Sequence, residues 1–156
     1  MELKKTIKAK LALLAVLFLQ GCAALLPAYT NSSEEQVAKI RVNYNYASAL
    51  IKVGDQGLMR IPEGKTVPHN GSYLNGYRQL GISLGMPGQK PEFNFTEVIV
   101  PANVPTEISF YWTERYGNSI SSCKPKKIIN PKANKNYQVS YVMAGSACGV
   151  NVEELK

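Results

Sequence analysis

Ala38-Lys39-Ile40-Arg41-Val42-Asn43-Tyr44-Asn45-Tyr46 alternates. Ile40, Val42, Tyr44 and Tyr46 fall on one side of an extended chain, and Arg41, Asn43 and Asn45 fall on the other. A period of two is that of a strand with one face in the core and one in water. Ala49–Val53 follows a tight turn near Ala47-Ser48 and reads as the neighbouring strand.

Outward from there the same period recurs. Phe95–Val100 ends at Pro101. Thr106–Arg115 starts after Pro105 and sets Ile108, Phe110 and Trp112 against Glu107, Ser109 and Tyr111. Ser119–Cys123 and Lys126–Ile129 are short strands on either side of Pro125. Asn136–Met143 and Cys148–Glu153 form a hairpin across Ala144-Gly145-Ser146-Ala147. The stretch Gly54–Glu92 differs, with eight of the twelve glycines and four of the nine prolines. Asn70-Gly71 and Asn75-Gly76 are turn signals there, because Asn-Gly suits the tight hairpin turn. Leu80, Ile82, Leu84 and Met86 alternate with Gln79, Gly81, Ser83 and Gly85, which predicts a strand whose Gly-rich face admits a close neighbour.

No helical stripe follows Gln36, and short strands with turns between them predict an all-β chain. The expected fold is an antiparallel β-sandwich of about seven or eight short strands, immunoglobulin- or transthyretin-like. Its expected core is Ile40, Val42, Ile51, Val53, Leu80, Ile82, Leu84, Val98, Val100, Ile108, Phe110, Trp112, Val139, Tyr141, Val150 and Val152. Within 156 residues, 45% apolar and 19% charged side chains are globular values, which excludes disorder throughout. The single histidine, His69, reads as a surface side chain in a turn and excludes a His-based metal cage. No phosphate loop, Gly-x-Ser-x-Gly or zinc-protease signature is present. Neither a metal nor a cofactor is expected.

Met1–Lys10 holds Lys4, Lys5, Lys8 and Lys10, and Leu11–Leu19 is wholly apolar. A basic stretch, a short apolar stretch and a small residue make a secretory signal. Leu19-Gln20-Gly21-Cys22 then resembles the lipobox of bacterial lipoproteins, with Gln20 departing from the usual small or β-branched residue. The resemblance implies cleavage before Cys22, a diacylglyceryl thioether on its sulfur and N-acylation. It also implies outer-membrane sorting, since Ala23 stands where aspartate retains lipoproteins in the inner membrane. The competing reading is an uncleaved anchor over Leu11–Ala28, against which Gly21 and Pro27 count. The expected organisation is a signal peptide at 1–21, a lipidated flexible tether at 22–36 and a β-sandwich domain at 37–156.

Cleavage removes four lysines and one glutamate from 18 basic and 11 acidic residues, which leaves 14 and 10, net +4. The apparent basicity is largely the signal's, so nucleic acid is not an expected partner. Export to an oxidising compartment pairs Cys123 with Cys148. The alternative for these cysteines is a reactive thiol.

Candidate sites are few. Arg115, Lys124, Lys126, Lys127, Lys132 and Lys135 lie in a run without acidic residues between Glu114 and Glu153. They would share one end of the domain and attract anionic glycan, lipid head groups or an acidic protein face. The alternative is a solvated edge that lysines protect from strand pairing. Tyr73, Tyr77, Tyr111 and Tyr116 near turns suit recognition or ordinary cross-strand packing. The carboxylates Asp55, Glu63, Glu92, Glu97, Glu107 and Glu114 read as solvated surface charge.

The functional expectation is a non-enzymatic binding or assembly module anchored to the outer membrane through Cys22, with envelope proteins or anionic glycan as partners. The alternative is an envelope glycan- or peptide-acting enzyme, or an inhibitor of one.

Overall fold

A computed structural model of the chain describes residues 26–44, 47–71, 74–91, 94–145 and 147–156. The signal peptide and Cys22 lie outside these residues. Every regular element among them is a strand, eleven in all. They are β1 (Val37–Asn43), β2 (Ser48–Val53), β3 (Met59–Arg60), β4 (Thr66–Gly71), β5 (Leu74–Gln79), β6 (Phe95–Pro101), β7 (Thr106–Tyr116), β8 (Ser119–Cys123), β9 (Lys126–Ile129), β10 (Asn136–Ala144) and β11 (Ala147–Leu155).

One sheet runs β11-β10-β1-β6. The other runs β3-β2-β7-β8, and β9 also pairs with β7. Thus β7 is long enough to hold β9 along Thr106–Ser109 and β8 along Trp112–Tyr116. Ile40, Val42, Val98, Val100, Val139 and Tyr141 of the first sheet share one core with Ala49, Ile51, Val53, Ile108 and Phe110 of the second. The Phe110 and Tyr141 rings meet across it, with centroids 5.8 Å apart. The arrangement is that of a β-sandwich, and β4 and β5 form a separate two-stranded ribbon.

Several expectations need correction. β2 does not pair with β1 but lies in the opposite sheet, against β7, with the Ala47 N–H donating to the Tyr44 carbonyl just before it. The first sheet is not purely antiparallel, since β1 and β10 run parallel from Lys39↔Asn136 to Asn43↔Ser140. The Asn-Gly pairs lie within strands, with Asn70 opposite Asn75 and Gly71 opposite Leu74. The backbone of His69 likewise pairs with Gly76 inside β4–β5 rather than forming a turn.

The strand expected at Leu80–Met86 does not form. Ile82 alone bridges the free edge of β6, where its N–H donates to Phe95 and its carbonyl accepts from Glu97. Gly85 and Gly88 then take φ of +76° and +80°, and the chain folds over the outer face of the first sheet as a strap. Leu80 is 39% exposed, Ile82 and Leu84 are half-buried, and only Met86 is buried. Trp112, Val150 and Val152 pack at the margin of the core rather than inside it.

Residues 26–36 lie along the domain over their whole length. The Tyr29 hydroxyl donates to the Ile99 carbonyl at 2.8 Å, and the Ser32 N–H donates to the same oxygen at 3.0 Å. Asn31 Oδ1 accepts from the Ile99 N–H at 2.9 Å. Burial and the nearby Glu34 push the Tyr29 hydroxyl up to about 12, so it stays a donor. Within the expected tether, Leu26, Pro27, Tyr29, Asn31, Ser32 and Gln36 are hydrogen-bonded to the domain, and residues 22–25 lie outside the described residues.

Candidate functional site

The expected cationic residues are distributed over β7, the link between β8 and β9, β9 itself and the turn beyond. Lys126 stands opposite Ser109 and Lys127 opposite Ile108, whereas Arg115 stands opposite Ile120 toward the far end of β7. Arg115 is six positions along β7 from Ser109, about 20 Å at ~3.3 Å per residue. Lys126 Nζ reaches Glu107 at 3.2 Å, and Lys135 Nζ reaches Glu154 at 2.7 Å, which raises the Lys135 ammonium. Lys132 Nζ lies 3.5 Å from Asn103 Oδ1. Lys124 Nζ sits 4.9 Å from the centre of the Tyr111 ring, a cation–π contact. Arg115 thus lies on the interior strand β7, Lys124, Lys126 and Lys127 lie on or just before β9, and Lys132 and Lys135 lie in the turn before β10, with two of the charges paired locally.

Cys123 and Cys148 lie at disulfide-bonding distance, with Cα atoms 6.4 Å apart. Cys123 ends β8 and Cys148 is the second residue of β11, so the pair ties an edge of one sheet to an edge of the other.

The carboxylate read as surface charge at Glu97 is buried, and so is its partner Arg41, both with fully covered side chains. Arg41 and Glu97 are direct partners across β1–β6, on the face away from the core. Arg41 Nε and Nη2 donate to Glu97 Oε1 at 3.0 and 2.8 Å. Gln138 Oε1 of β10 accepts from Arg41 Nη1 at 3.4 Å, and the strap supplies the rest of the shell. Glu97 Oε2 accepts from the Ser83 hydroxyl and from the N–H groups of Leu84 and Met86. Arg41 donates to the carbonyls of Met86, Pro87 and Gln89 at 3.1, 3.1 and 3.2 Å. Burial raises the Glu97 carboxyl. The guanidinium, the two N–H groups and the Ser83 hydroxyl outweigh it and hold the group below the usual carboxylate range. This network fastens backbone to backbone, and its oxygens are used internally. No sequence pattern marks it, because a strand residue opposite another depends on register.

A groove of about 800 Å³ lies beside β3. Its floor is the outward face of the second sheet. Ser48 and Tyr111 stand opposite each other on β2 and β7, and Leu50 follows two residues on. They alternate with buried Ala49, Ile51 and Phe110, so they face away from the core. Its wall is the N-terminal segment. The Arg60 N–H donates to the Pro27 carbonyl, the Tyr29 N–H donates to the Arg60 carbonyl, and both bonds are 2.8 Å. Arg60 Nε also donates to the Leu26 carbonyl at 2.9 Å. These bonds hold Leu26 and Ala28 against the groove, which Ile61 and Pro62 complete. Among its described lining residues only Arg60 and Glu63 are charged, with opposite signs. An apolar recess of this size takes an apolar ligand by burial. Of this group, sequence reasoning named Tyr111 as a recognition candidate and Glu63 as surface charge. The exposed period-two positions of β2 and the residues after Pro27 become neighbours only through folding.

Among the described residues no group of three or more His, Cys, Asp or Glu could hold a metal ion. No protein-family model matches the chain, and neither the curated proteins nor the solved structures searched contain a match to it.

Proposed function

We propose that this chain is a lipoprotein anchored in the outer membrane through Cys22, and that its β-sandwich domain is a non-enzymatic binding or assembly module of the cell envelope. The finer reading of that domain is immunoglobulin- or transthyretin-like. The observation that carries the proposal is Leu19-Gln20-Gly21-Cys22 at the end of the apolar stretch, four residues before the domain's first described residue, Leu26. A lipid at Cys22 would hold the domain close to the bilayer, because the intervening chain spans at most about 14 Å at ~3.6 Å per residue. The cysteine pair between the sheets agrees with an oxidising compartment. Module surfaces available for partners are the cationic residues on and around β9 and the groove beside β3.

The test is palmitate labelling of cells with mass measurement of the N-terminal peptide, followed by crosslinking and pull-down with the mature protein. The expected result is a peptide starting at acylated Cys22, a membrane-bound protein and a defined co-purifying complex. Cys22→Ala should release the protein and lose the complex. An unlabelled, uncleaved chain that stays in the membrane would overturn the anchor, and recovery of glycan alone would overturn the assembly role.

A further inference from the structure

We propose that the groove beside β3 seats an acyl chain carried by Cys22 of the same molecule, an inference that rests on the lipoprotein reading above. The groove wall begins at Leu26, and Arg60 holds that residue through its side chain. Cys22 is four residues upstream, so a lipid on its sulfur starts within about 14 Å of the groove at ~3.6 Å per residue. The intervening Ala23, Ala24 and Leu25 carry no charge that would need water. A ligand tethered this closely is present at millimolar effective concentration or above, so modest affinity fills the site.

The lining fits hydrocarbon. Leu26, Ala28, Leu50, Ile61, Pro62 and the Tyr111 ring present apolar atoms, and Arg60 and Glu63 leave the lining without net charge. A volume of about 800 Å³ falls in the range of pockets that bury a small organic ligand, ~300–1,000 Å³. The use follows from solvent. An exported lipoprotein crosses water between two membranes, and an acyl chain exposed there carries the full cost of hydrating hydrocarbon. The groove removes one chain from water in transit. At a bilayer the surroundings are equally apolar, so the same chain is free to leave the groove and enter the membrane.

The test uses the acylated mature protein with Leu50→p-benzoylphenylalanine, whose photoreactive ketone inserts into nearby C–H bonds. The control carries the same residue at Val142, which is 43% exposed on the other sheet. Irradiation follows dilution of detergent below its micelle concentration. The expected product joins the peptide containing position 50 to the lipidated peptide that starts at Cys22. In a mixture of isotope-labelled and unlabelled protein, no cross-labelled adduct should form, and the Val142 control should give none. Adducts to detergent alone, to the lipid of another molecule, or equally from both positions overturn the proposal. The mass of the Cys22 peptide is read in the same experiment. An unacylated peptide brings down the lipoprotein reading, whereas an acylated peptide without the adduct brings down only the groove. As a second measurement, the Cys22→Ala protein should bind a fluorescent sixteen-carbon fatty acid, and adding Leu50→Glu should weaken that binding at least tenfold. Equal binding with and without Leu50→Glu also overturns it.

Discussion

The two faces of the β11-β10-β1-β6 sheet are covered in different ways. On the inner face Ile40, Val42, Val98 and Val100 meet the second sheet through carbon alone. On the outer face of the same two strands, Arg41 and Glu97 are equally buried, and the strap from Gln79 to Pro91 covers them through hydrogen bonds. Phe95 and Met86 are also buried there, apart from the main core. Apolar packing is non-directional and tolerates many sequences of similar volume. A buried ion pair with its donors and acceptors matched specifies one path for the strap, because any other path leaves a desolvated charge without partners. The inner face therefore supplies much of the stability, and the outer face dictates where a Gly-rich segment lies.

That contrast can be broken at either face. Glu97→Ala leaves the Arg41 guanidinium buried and unpaired, and is expected to destabilise the domain by ~3–5 kcal/mol in urea unfolding. Ile40→Ala on the inner face removes only carbon and is expected to cost ~2–5 kcal/mol. The distinguishing readout is limited proteolysis, since Glu97→Ala should expose the strap to cleavage while Ile40→Ala leaves it protected in the folded fraction. If both variants keep the strap protected, the ion pair does not hold it.

Replacing Cys123 and Cys148 together with serine should cost ~2–4 kcal/mol, chiefly by freeing the unfolded chain. That loss should leave both faces of the first sheet protected, since the link joins sheet edges. Gly81→Ala sharpens the comparison on the strap side. A Cβ there would lie 1.6 Å from the Phe95 ring, so the expected cost is ~1–3 kcal/mol, and Phe95→Leu should recover part of it.

The pH dependence follows from Glu97. Its folded carboxyl titrates below the usual value, so its contribution is complete above the unfolded carboxylate pKa of ~4.3. The contribution is lost as pH falls through the folded value. Stability of the native chain should therefore drop below about pH 4 more steeply than that of Glu97→Gln. The smallest effect is expected at Lys126→Ala, within about 0–1 kcal/mol, because its pair with Glu107 is exposed and screened.

Much of the strand pattern was legible. Alternation placed β1, β6, β7 and β10 close to their observed limits because each has one face against the core, and the turn and proline signals bounded β8, β9 and β11. The ribbon β4–β5 and the strap were not legible in the same way. Glycine and asparagine in that region signal a turn, yet the backbone there is governed by a partner strand and by a carboxylate donated from β6. Of the sites, the cysteine pair and the cationic residues could be named from sequence. The groove could not, because its floor and wall come from segments that are far apart along the chain.

The sequence by itself determined the strand class and the inward-facing residues of β1, β6 and β7, and it carries the Leu19–Cys22 pattern on which the proposed processing rests. Those depend on periods and short local patterns, which the chain carries without folding. Tertiary structure alone decided that β2 joins the opposite sheet, that Arg41 and Glu97 are buried against each other, and that Leu26 lies beside Leu50 and Tyr111. These are statements of register and sheet partnership, and alternation is the same whichever strand a segment pairs with.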